Sequence, residues 1–95
     1  MKKYELAVVF APDLDDEARA AQLEKVQGYI TRFGGNVEKV DDWGKRKLAY
    51  EIKKYNEGFY CFIDFEAESN APVEIERRVR IMDSVIRYLI ISKEK

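Results

Sequence analysis

The apolar residues in the first third of the chain follow two different periods. Every second residue is apolar in the stretch that begins at Leu6, which predicts a β-strand over residues 3–10. Apolar residues then recur at spacings of three and four, which predicts one buried face of a helix over residues 15–33. This face consists of Leu23, Val26, Ile30 and Phe33. Asp15 is a typical capping residue at the start of this helix, and the glycines at 34–35 are typical of its end.

A long second strand is predicted over residues 36–52, although its alternation is imperfect. Val37 and Val40 are three residues apart, whereas the side chains of a regular strand repeat every two residues. The period of two resumes from Leu48 onward. We therefore predict a strand that is bent or bulged near Trp43–Gly44, where a glycine relieves the backbone strain.

The second half of the chain predicts three further elements. The polar stretch 53–58 is typical of a hairpin connection, and the apolar-rich run 59–65 predicts a third strand. Asn70 is a typical N-cap for a second helix. The apolar face of that helix consists of Ile75, Val79 and Met82. The run 85–91 predicts the last strand.

The predicted order is strand, helix, strand, strand, helix, strand. Two helical crossovers and one hairpin favour the ferredoxin-like fold of the α+β class, with a four-stranded antiparallel sheet and both helices on one face. The chain has 95 residues, of which 46% are hydrophobic, so it is long enough for one core and too short for two. We therefore expect a single ferredoxin-like domain over residues 1–95.

Two helices cover only one face of such a sheet, and apolar side chains are predicted on the other face as well. The alternation directs Cys61 and Ile63 toward the helices and leaves Tyr60 and Phe62 on the opposite side. The predicted apolar set on the uncovered face is Val9, Tyr60, Phe62, Leu89 and Ile91, edged by Lys3 and Arg87. Contiguous exposed apolar residues mark interaction sites, so we expect a protein partner to dock there. The alternatives are a swapped parity of the strands and a loop that covers this face.

Composition removes several classes of function. Seventeen Lys and Arg against eighteen Asp and Glu give a net charge of −1, which excludes nucleic-acid binding by bulk positive charge. Histidine is absent, and Cys61 is the one cysteine, so the usual general base, an internal disulfide and a zinc site of several cysteines are all excluded. The acidic loop 11–16 also lacks the arginine and glycine with which acylphosphatase-like hydrolases hold phosphate. We expect no enzyme activity, no cofactor and no metal.

Membrane insertion is equally disfavoured by the pattern. No apolar stretch approaches the about 20 residues that a membrane-spanning helix needs. The apolar run near the N-terminus is too short for the core of a signal peptide. We therefore expect a cytoplasmic protein.

Positive charge is concentrated in a few segments despite the neutral total. The candidate RNA-binding residues are Lys2, Lys3, Lys45, Arg46, Lys47, Lys53, Lys54, Arg77, Arg80 and Arg87. Basic ridges of this kind bind phosphates even on a near-neutral protein. Charged runs on an exposed hairpin or helix also occur for solubility alone, and composition does not separate the two interpretations.

The third strand offers one partial match to an RNA-binding module. Residues 60–65 match the last six positions of the third-strand signature of the RNA recognition motif, whose outward aromatic residues stack on bases. The first two positions of that signature are not matched, because Gly58 and Phe59 stand where a basic residue and a glycine are expected. The first strand carries Ala7 and Val9 where an aromatic residue is expected. A stand-alone module for single-stranded RNA is therefore the alternative function.

A longer and more specific match begins at Trp43. The stretch Trp43-Gly44-Lys45-Arg46-Lys47-Leu48-Ala49-Tyr50 resembles the signature of the bacterial small-subunit ribosomal protein S-six family. The resemblance continues at Lys3-Tyr4-Glu5, Gly34-Gly35, Gly58-Phe59-Tyr60, Arg80 and Arg87. It covers essentially all 95 residues.

This resemblance implies a ferredoxin-like fold and a non-catalytic role in the small (30S) ribosomal subunit, in the cytoplasm. It also implies binding to the central domain of 16S ribosomal RNA together with the S-eighteen ribosomal protein. In that setting we expect the basic hairpin and the arginines near the second helix to contact RNA phosphates. The apolar sheet face would bury part of the partner protein, with Tyr60 and Phe62 as anchors.

Overall fold

The computed structural model describes residues 1–93, with two helices and four strands in the predicted order. The strands are β1 (Lys2–Phe10), β2 (Asn36–Ile52), β3 (Tyr55–Ala67) and β4 (Val85–Ser92), and the helices are α1 (Asp16–Arg32) and α2 (Ala71–Arg80). The sheet has the order β2-β3-β1-β4, and each neighbouring pair is antiparallel. The predicted ferredoxin-like fold is confirmed. Glu94 and Lys95, the last residues of the predicted domain, lie outside the described residues.

Both helices pack on the same face of the sheet and form the main core with it. The helices contribute Val26, Ile30, Ala71, Ile75 and Val79. The strands contribute Tyr4, Leu6, Val8, Phe10, Cys61, Ile63, Phe65, Ala67 and Val85. All of these side chains are buried, and removing their apolar surface from water is the main favourable term in folding. The predicted parity of β1 and β3 is therefore confirmed, and a swapped parity is excluded.

The two helices begin differently from one another. The Ala18 N–H donates to Asp15 Oδ1 at 2.7 Å, which confirms Asp15 as the cap of α1. Asn70 occupies the N-cap position of α2, as predicted, but its side chain makes no capping hydrogen bond. Its backbone is already helical, and the Ala71 N–H donates to the carbonyl of Glu68 instead.

The register of β2 with β3 shifts at three places, one of them between Lys47 and Ile52, and the sequence predicts one of the other two. The register with β3 shifts between Asp42 and Gly44, which confirms the predicted bulge, and Gly44 there has a φ of +76° that favours glycine. A second shift lies between Val37 and Lys39. The extra residue at this point explains why Val37 and Val40, three positions apart, both pack against the core.

The hairpin between β2 and β3 is tighter than the sequence predicts. Its turn consists of Lys53 and Lys54 alone, which have positive φ values of 50° and 71°. The predicted connection over 53–58 is wrong beyond these two residues, because β3 begins at Tyr55, and Tyr55, Glu57 and Gly58 pair with residues of β2. Because this stretch is mostly polar, the sequence pattern does not indicate that it belongs to a strand, which extends past the main core. We call residues 45–58 the arm, since β1 ends opposite Phe59.

The arm folds back over one end of the uncovered sheet face. Val9, Ala11 and Ile86 form a second, small buried cluster there. Leu48, Ile52, Tyr55 and Tyr60 pack against this cluster. The expectation that Val9 is exposed is therefore wrong: Val9 lies on the predicted face, but it is only 5% exposed because the arm covers it.

Gly58 permits the close approach of the arm to β1 and β4. A Cβ atom at this position would overlap Val9 Cγ1 and would lie 3.1 Å from the Phe10 carbonyl oxygen and 3.3 Å from Ile86 Cδ1. Valine is stiff about χ1 and is buried here, so its methyl group has little room to move aside. Only a residue without a side chain fits at this crossing.

We predict that Gly58→Ala lowers the free energy of unfolding by about 1–3 kcal/mol, through overpacking at the crossing. The control is Gly28→Ala on α1, where a Cβ meets nothing within 4 Å. That change removes a helix-interior glycine and should stabilise the protein by about 0.5–1 kcal/mol. Urea denaturation measures both variants, and equal stabilities of the two would contradict the proposed crossing.

The thiol of Cys61 is sealed inside the main core. Burial raises the pKa of Cys61 from its ordinary 9.0 to about 12, and the nearby Asp42 carboxylate adds to the rise. The thiolate is the reactive form, so the native thiol is expected to be inert.

A pH dependence follows from this raised pKa. Between pH 9 and 12 the unfolded chain loses the Cys61 proton while the native chain keeps it. The free energy of unfolding should therefore fall with rising pH, by up to about 1.4 kcal/mol per unit from this group. Denaturation at pH 8, 9, 10 and 11 should give a steeper decline for the native sequence than for Cys61→Ala, which shares all other titrations. Identical slopes would contradict the assignment.

Candidate protein and nucleic-acid interfaces

The uncovered sheet face is apolar where the arm does not reach it. Leu89 and Ile91 on β4 are 55% and 45% exposed, while Tyr88 and Ile90 pack toward the core. The predicted parity of β4 is therefore confirmed. Phe62 on β3 is half-buried and lies on the same face as Leu89.

A shallow groove of about 260 Å³ runs along this face between β3 and β4. Ala7 of β1 forms its floor, since it lies opposite Phe62 on one side and Leu89 on the other. A small side chain between two large ones leaves a trough. The groove is lined by Ala7, Val8, Tyr60, Phe62, Arg87, Tyr88 and Leu89.

Trp43 extends the aromatic surface beyond the groove, onto β2. Its ring centroid lies 4.6 Å from that of Phe62, with an interplanar angle of 55°, and the residue is 48% exposed. Sequence reasoning did not include Trp43 in the candidate interface. The available signal was a tryptophan beside the predicted bulge glycine, where strand parity no longer tells which face a side chain occupies.

The bulge that carries Trp43 is fixed by one carboxylate. Asp42 Oδ1 accepts the Gly44 N–H at 2.9 Å, and Asp42 Oδ2 accepts from Arg19 Nη1 at 2.6 Å. The Arg19 guanidinium also lies 4.4 Å from the centroid of the Phe59 ring. Helix α1 is thereby joined to the base of the arm. Arg19 and Asp42 are 23 residues apart, and nothing in the sequence pattern pairs them.

The three consecutive basic residues of the arm do not form one ridge. Lys45 lies opposite Phe59 with its ammonium 5.4 Å from the ring centroid, on the helical side of the arm. Arg46 lies opposite Gly58 on the other side, and its Nε donates to the Trp43 carbonyl at 3.1 Å. Lys47 returns to the side of Lys45 by strand alternation. The arm therefore carries positive charge on both of its sides.

Three of the other candidate cations lie at this same end of the molecule. Lys53 and Lys54 are exposed at the tip of the arm. Arg80 is exposed in the last turn of α2, and the chain from there enters β4 opposite Phe10, beside the start of the arm. These positions place exposed cations on the arm, at its tip and at the adjoining end of α2, at the same end of the sheet as the acidic loop 11–16.

The remaining candidate cations are placed elsewhere or are already paired. Lys2 and Lys3 lie at the opposite end of β1, and Lys3 Nζ is 3.2 Å from Glu38 Oε2. Arg77 Nη1 is 3.0 Å from Glu74 Oε1 on the same helix. Lys2 and Lys3 are therefore separated from the cations of the arm, while Arg77 lies near Arg80 on α2 but is paired with a carboxylate.

Arg87 lies in the groove rather than among the cations of the arm. It lines the groove from β4, and its Nη1 donates to Tyr50 Oη at 3.3 Å. Its guanidinium lies 5.9 Å from the centroid of the Tyr50 ring. The arm thus reaches from β2, at one edge of the sheet, to β4 at the other.

Two further observations concern other classes of site. Within residues 1–93, no group of three or more Cys, Asp or Glu residues is arranged to hold a metal ion. No helix in this part of the chain is long and apolar enough to cross a membrane.

Comparison with known proteins places this architecture in a family. The sequence model of ribosomal protein S6 matches residues 3–92. The small ribosomal subunit protein bS6 of Clostridium acetobutylicum is 52% identical over 95 residues, and that of Clostridium kluyveri is 50% identical over 95, each covering both chains completely. The crystal structure of the 30S ribosomal protein S6 from Thermotoga maritima superposes with a TM-score of 0.93 at 34% identity, covering 97% of this chain and 87% of that one. The chain belongs to the ribosomal protein S6 family, whose members are structural proteins of the small ribosomal subunit.

Proposed function

We propose that the protein is a structural component of the small ribosomal subunit that binds the central domain of 16S ribosomal RNA together with the S-eighteen ribosomal protein. The observation that carries this proposal is the division of its surface. An apolar groove lies on the uncovered sheet face, and a cluster of exposed cations lies on the arm. One surface suits a protein and the other suits phosphates.

The uncovered face supports a protein partner. Phe62, Leu89 and Trp43 are large and partly exposed, and they adjoin one another around the groove. Buried aromatic anchors in such settings dominate the energy of protein interfaces. Ile91 continues the patch, while Val9 contributes beneath the arm rather than by direct contact.

The arm supports the RNA contacts. A two-stranded segment with cations on both sides and at its tip can approach phosphates from more than one direction. We assign the main phosphate contacts to Lys45, Arg46, Lys47, Lys53, Lys54 and Arg80. Lys2, Lys3 and Arg77 are assigned a smaller share, because of the distance of the first two from the arm and the carboxylate partners of Lys3 and Arg77.

The biological setting follows from the family. Small ribosomal subunits of bacteria are cytoplasmic, so the predicted cytoplasmic location is confirmed by the family membership. The family is one of ribosomal structural proteins and not of enzymes. The inert thiol of Cys61 agrees with a role that requires no nucleophile.

A stand-alone module for single-stranded RNA remains the second candidate, and one observation favours it. Trp43 and Phe62 are adjacent aromatic residues on the uncovered face, where such modules stack bases. Against it, the floor of the groove is Ala7, and Val9 is covered by the arm. Tight binding of short single-stranded RNA in the absence of any second protein would favour this candidate over the ribosomal role.

We predict that Phe62→Ala weakens binding to the S-eighteen protein by about 1–3 kcal/mol, because the interface is deprived of an aromatic anchor. Leu89→Ala should weaken it in the same direction. The control is Ile81→Ala, which truncates an exposed aliphatic residue (69%) on the helical side of the molecule. Isothermal titration calorimetry measures all three, and unchanged affinity for Phe62→Ala and Leu89→Ala would remove the groove from the proposed interface.

A second prediction concerns the salt dependence of RNA binding. Replacing Lys45, Arg46 and Lys47 with glutamine should reduce the slope of log K against log salt by about 0.7–0.9 for each phosphate that the arm no longer neutralises. The control replaces Lys25, Arg32 and Arg78, which removes the same charge from the helical side. Filter binding of the 16S central domain at several salt concentrations gives both slopes. If the slope of the control variant falls as far as that of the arm variant, RNA binding depends on the net charge of the protein and not on the cations of the arm.

A further inference from the structure

The two ends of the groove carry opposite charges. Residues of β1 that face the groove lie in register with residues of β4: Val9 with Arg87, Ala7 with Leu89, and Glu5 with Ile91. The arginine thus borders one end of the trough, Ala7 forms its middle, and the Glu5 carboxylate lies beyond the other end.

Two lysines lie near Glu5 at this end of the face, and each is paired with another carboxylate: Lys3 with Glu38 and Lys93 with Asp64. Glu5 is half-buried and has no ion pair among residues 1–93. Its neighbour on β3, Asp64, is paired with Lys93 Nζ at 3.2 Å. Asp41, opposite Phe62 on β2, is exposed and adds a further carboxylate beside the groove.

The spacing of these charges matches one kind of occupant. Val9, which pairs with Arg87, lies four residues from Glu5 on β1, a distance of about 13 Å at about 3.3 Å per residue. An α-helix rises about 1.5 Å per residue, so positions i and i+8 on one helical face are about 12 Å apart. The position i+4 between them falls over the middle of the trough.

We propose that the groove binds a helix of the partner protein in which an acidic, an apolar and a basic residue follow at i, i+4 and i+8, in either chain direction. The carboxylate meets Arg87, the apolar side chain enters the trough over Ala7 between Phe62 and Leu89, and the cation meets Glu5. An apolar sheet face is covered by helices in layered folds, which favours a helix as the occupant. Glu5 and Asp41 oppose phosphates, which disfavours RNA at this site. The proposal rests on the proposed function only in that the occupant is a protein.

The first test uses the free protein and synthetic peptides. Three alanine-rich helical peptides of about 20 residues, long enough to be helical, carry at i, i+4 and i+8 Glu-Leu-Lys, Glu-Leu-Glu or Lys-Leu-Lys. The amide signals of Ala7 and Leu89 are followed by nuclear magnetic resonance. The Glu-Leu-Lys peptide should half-saturate these signals at a concentration about tenfold lower than either of the others. Equal or better binding of a like-charged peptide, or a response of the same signals to oligouridylate instead, would overturn the proposal.

The second test uses the S-eighteen protein and charge reversal in this chain. Glu5→Lys and Arg87→Glu should each weaken its binding by about tenfold. The matched controls are Glu24→Lys and Lys25→Glu on α1, which make the same changes in net charge away from the groove and should leave affinity unchanged. Denaturation curves confirm that each variant is folded.

The two tests separate this inference from the proposed function. If the S-eighteen protein does not bind the native chain while the Glu-Leu-Lys peptide is preferred, the proposed partner is wrong and the charge preference of the groove stands. If the S-eighteen protein binds but the groove variants behave like their controls, the inference is wrong and the proposed function stands.

Discussion

The structure depends on one constraint: the chain has only two helices, whereas its four-stranded sheet has two faces to cover. Two helices are enough to bury one face of the four-stranded sheet, and the residues of that face are almost completely removed from water. The other face must be covered by other means. At one end the chain covers it with its own arm over Val9, Ala11 and Ile86, and over the rest it leaves a trough of half-exposed side chains. The stability of the fold and the availability of a docking surface therefore both depend on how the face without helices is covered.

The elements were predictable because their signals are local. Alternation along β1 and β3 and the helical spacing in α1 identify the core face directly, and Asp15 identifies a helix start. The failures have physical reasons. Asn56 and Glu57 are polar because they are exposed to solvent, so this part of a paired strand resembles a loop in sequence. Asn70 has the predicted N-cap position, but its backbone is already helical and its side chain makes no capping hydrogen bond, which the sequence does not reveal. Val9 has the correct parity, but its burial depends on a distant segment that crosses it.

The candidate interfaces were predictable to a smaller extent for the same reason. Phe62, Leu89 and Ile91 follow from alternation and from the number of helices. Trp43 does not, because a bulge breaks the parity at that residue. The basic residues of the arm were visible as a run, yet their division between two sides depends on pairing with Phe59 and Gly58. The link from Arg19 to Asp42 joins residues on a helix and an edge strand, and only the packed structure brings them within 2.6 Å.

The turn at the tip of the arm shows a conflict between charge and backbone preference. A two-residue turn with both φ values positive is the kind in which asparagine and glycine are favoured, yet this chain places Lys53 and Lys54 there. Side chains with a Cβ are disfavoured in that conformation, at an energy of about 1–2 kcal/mol for each residue. Replacing the pair with Asn-Gly would make a more stable hairpin and leave it without its two outermost cations. The tip therefore marks a place where thermal robustness and affinity for a polyanion are alternatives, so an engineer of this protein could raise one only by giving up some of the other.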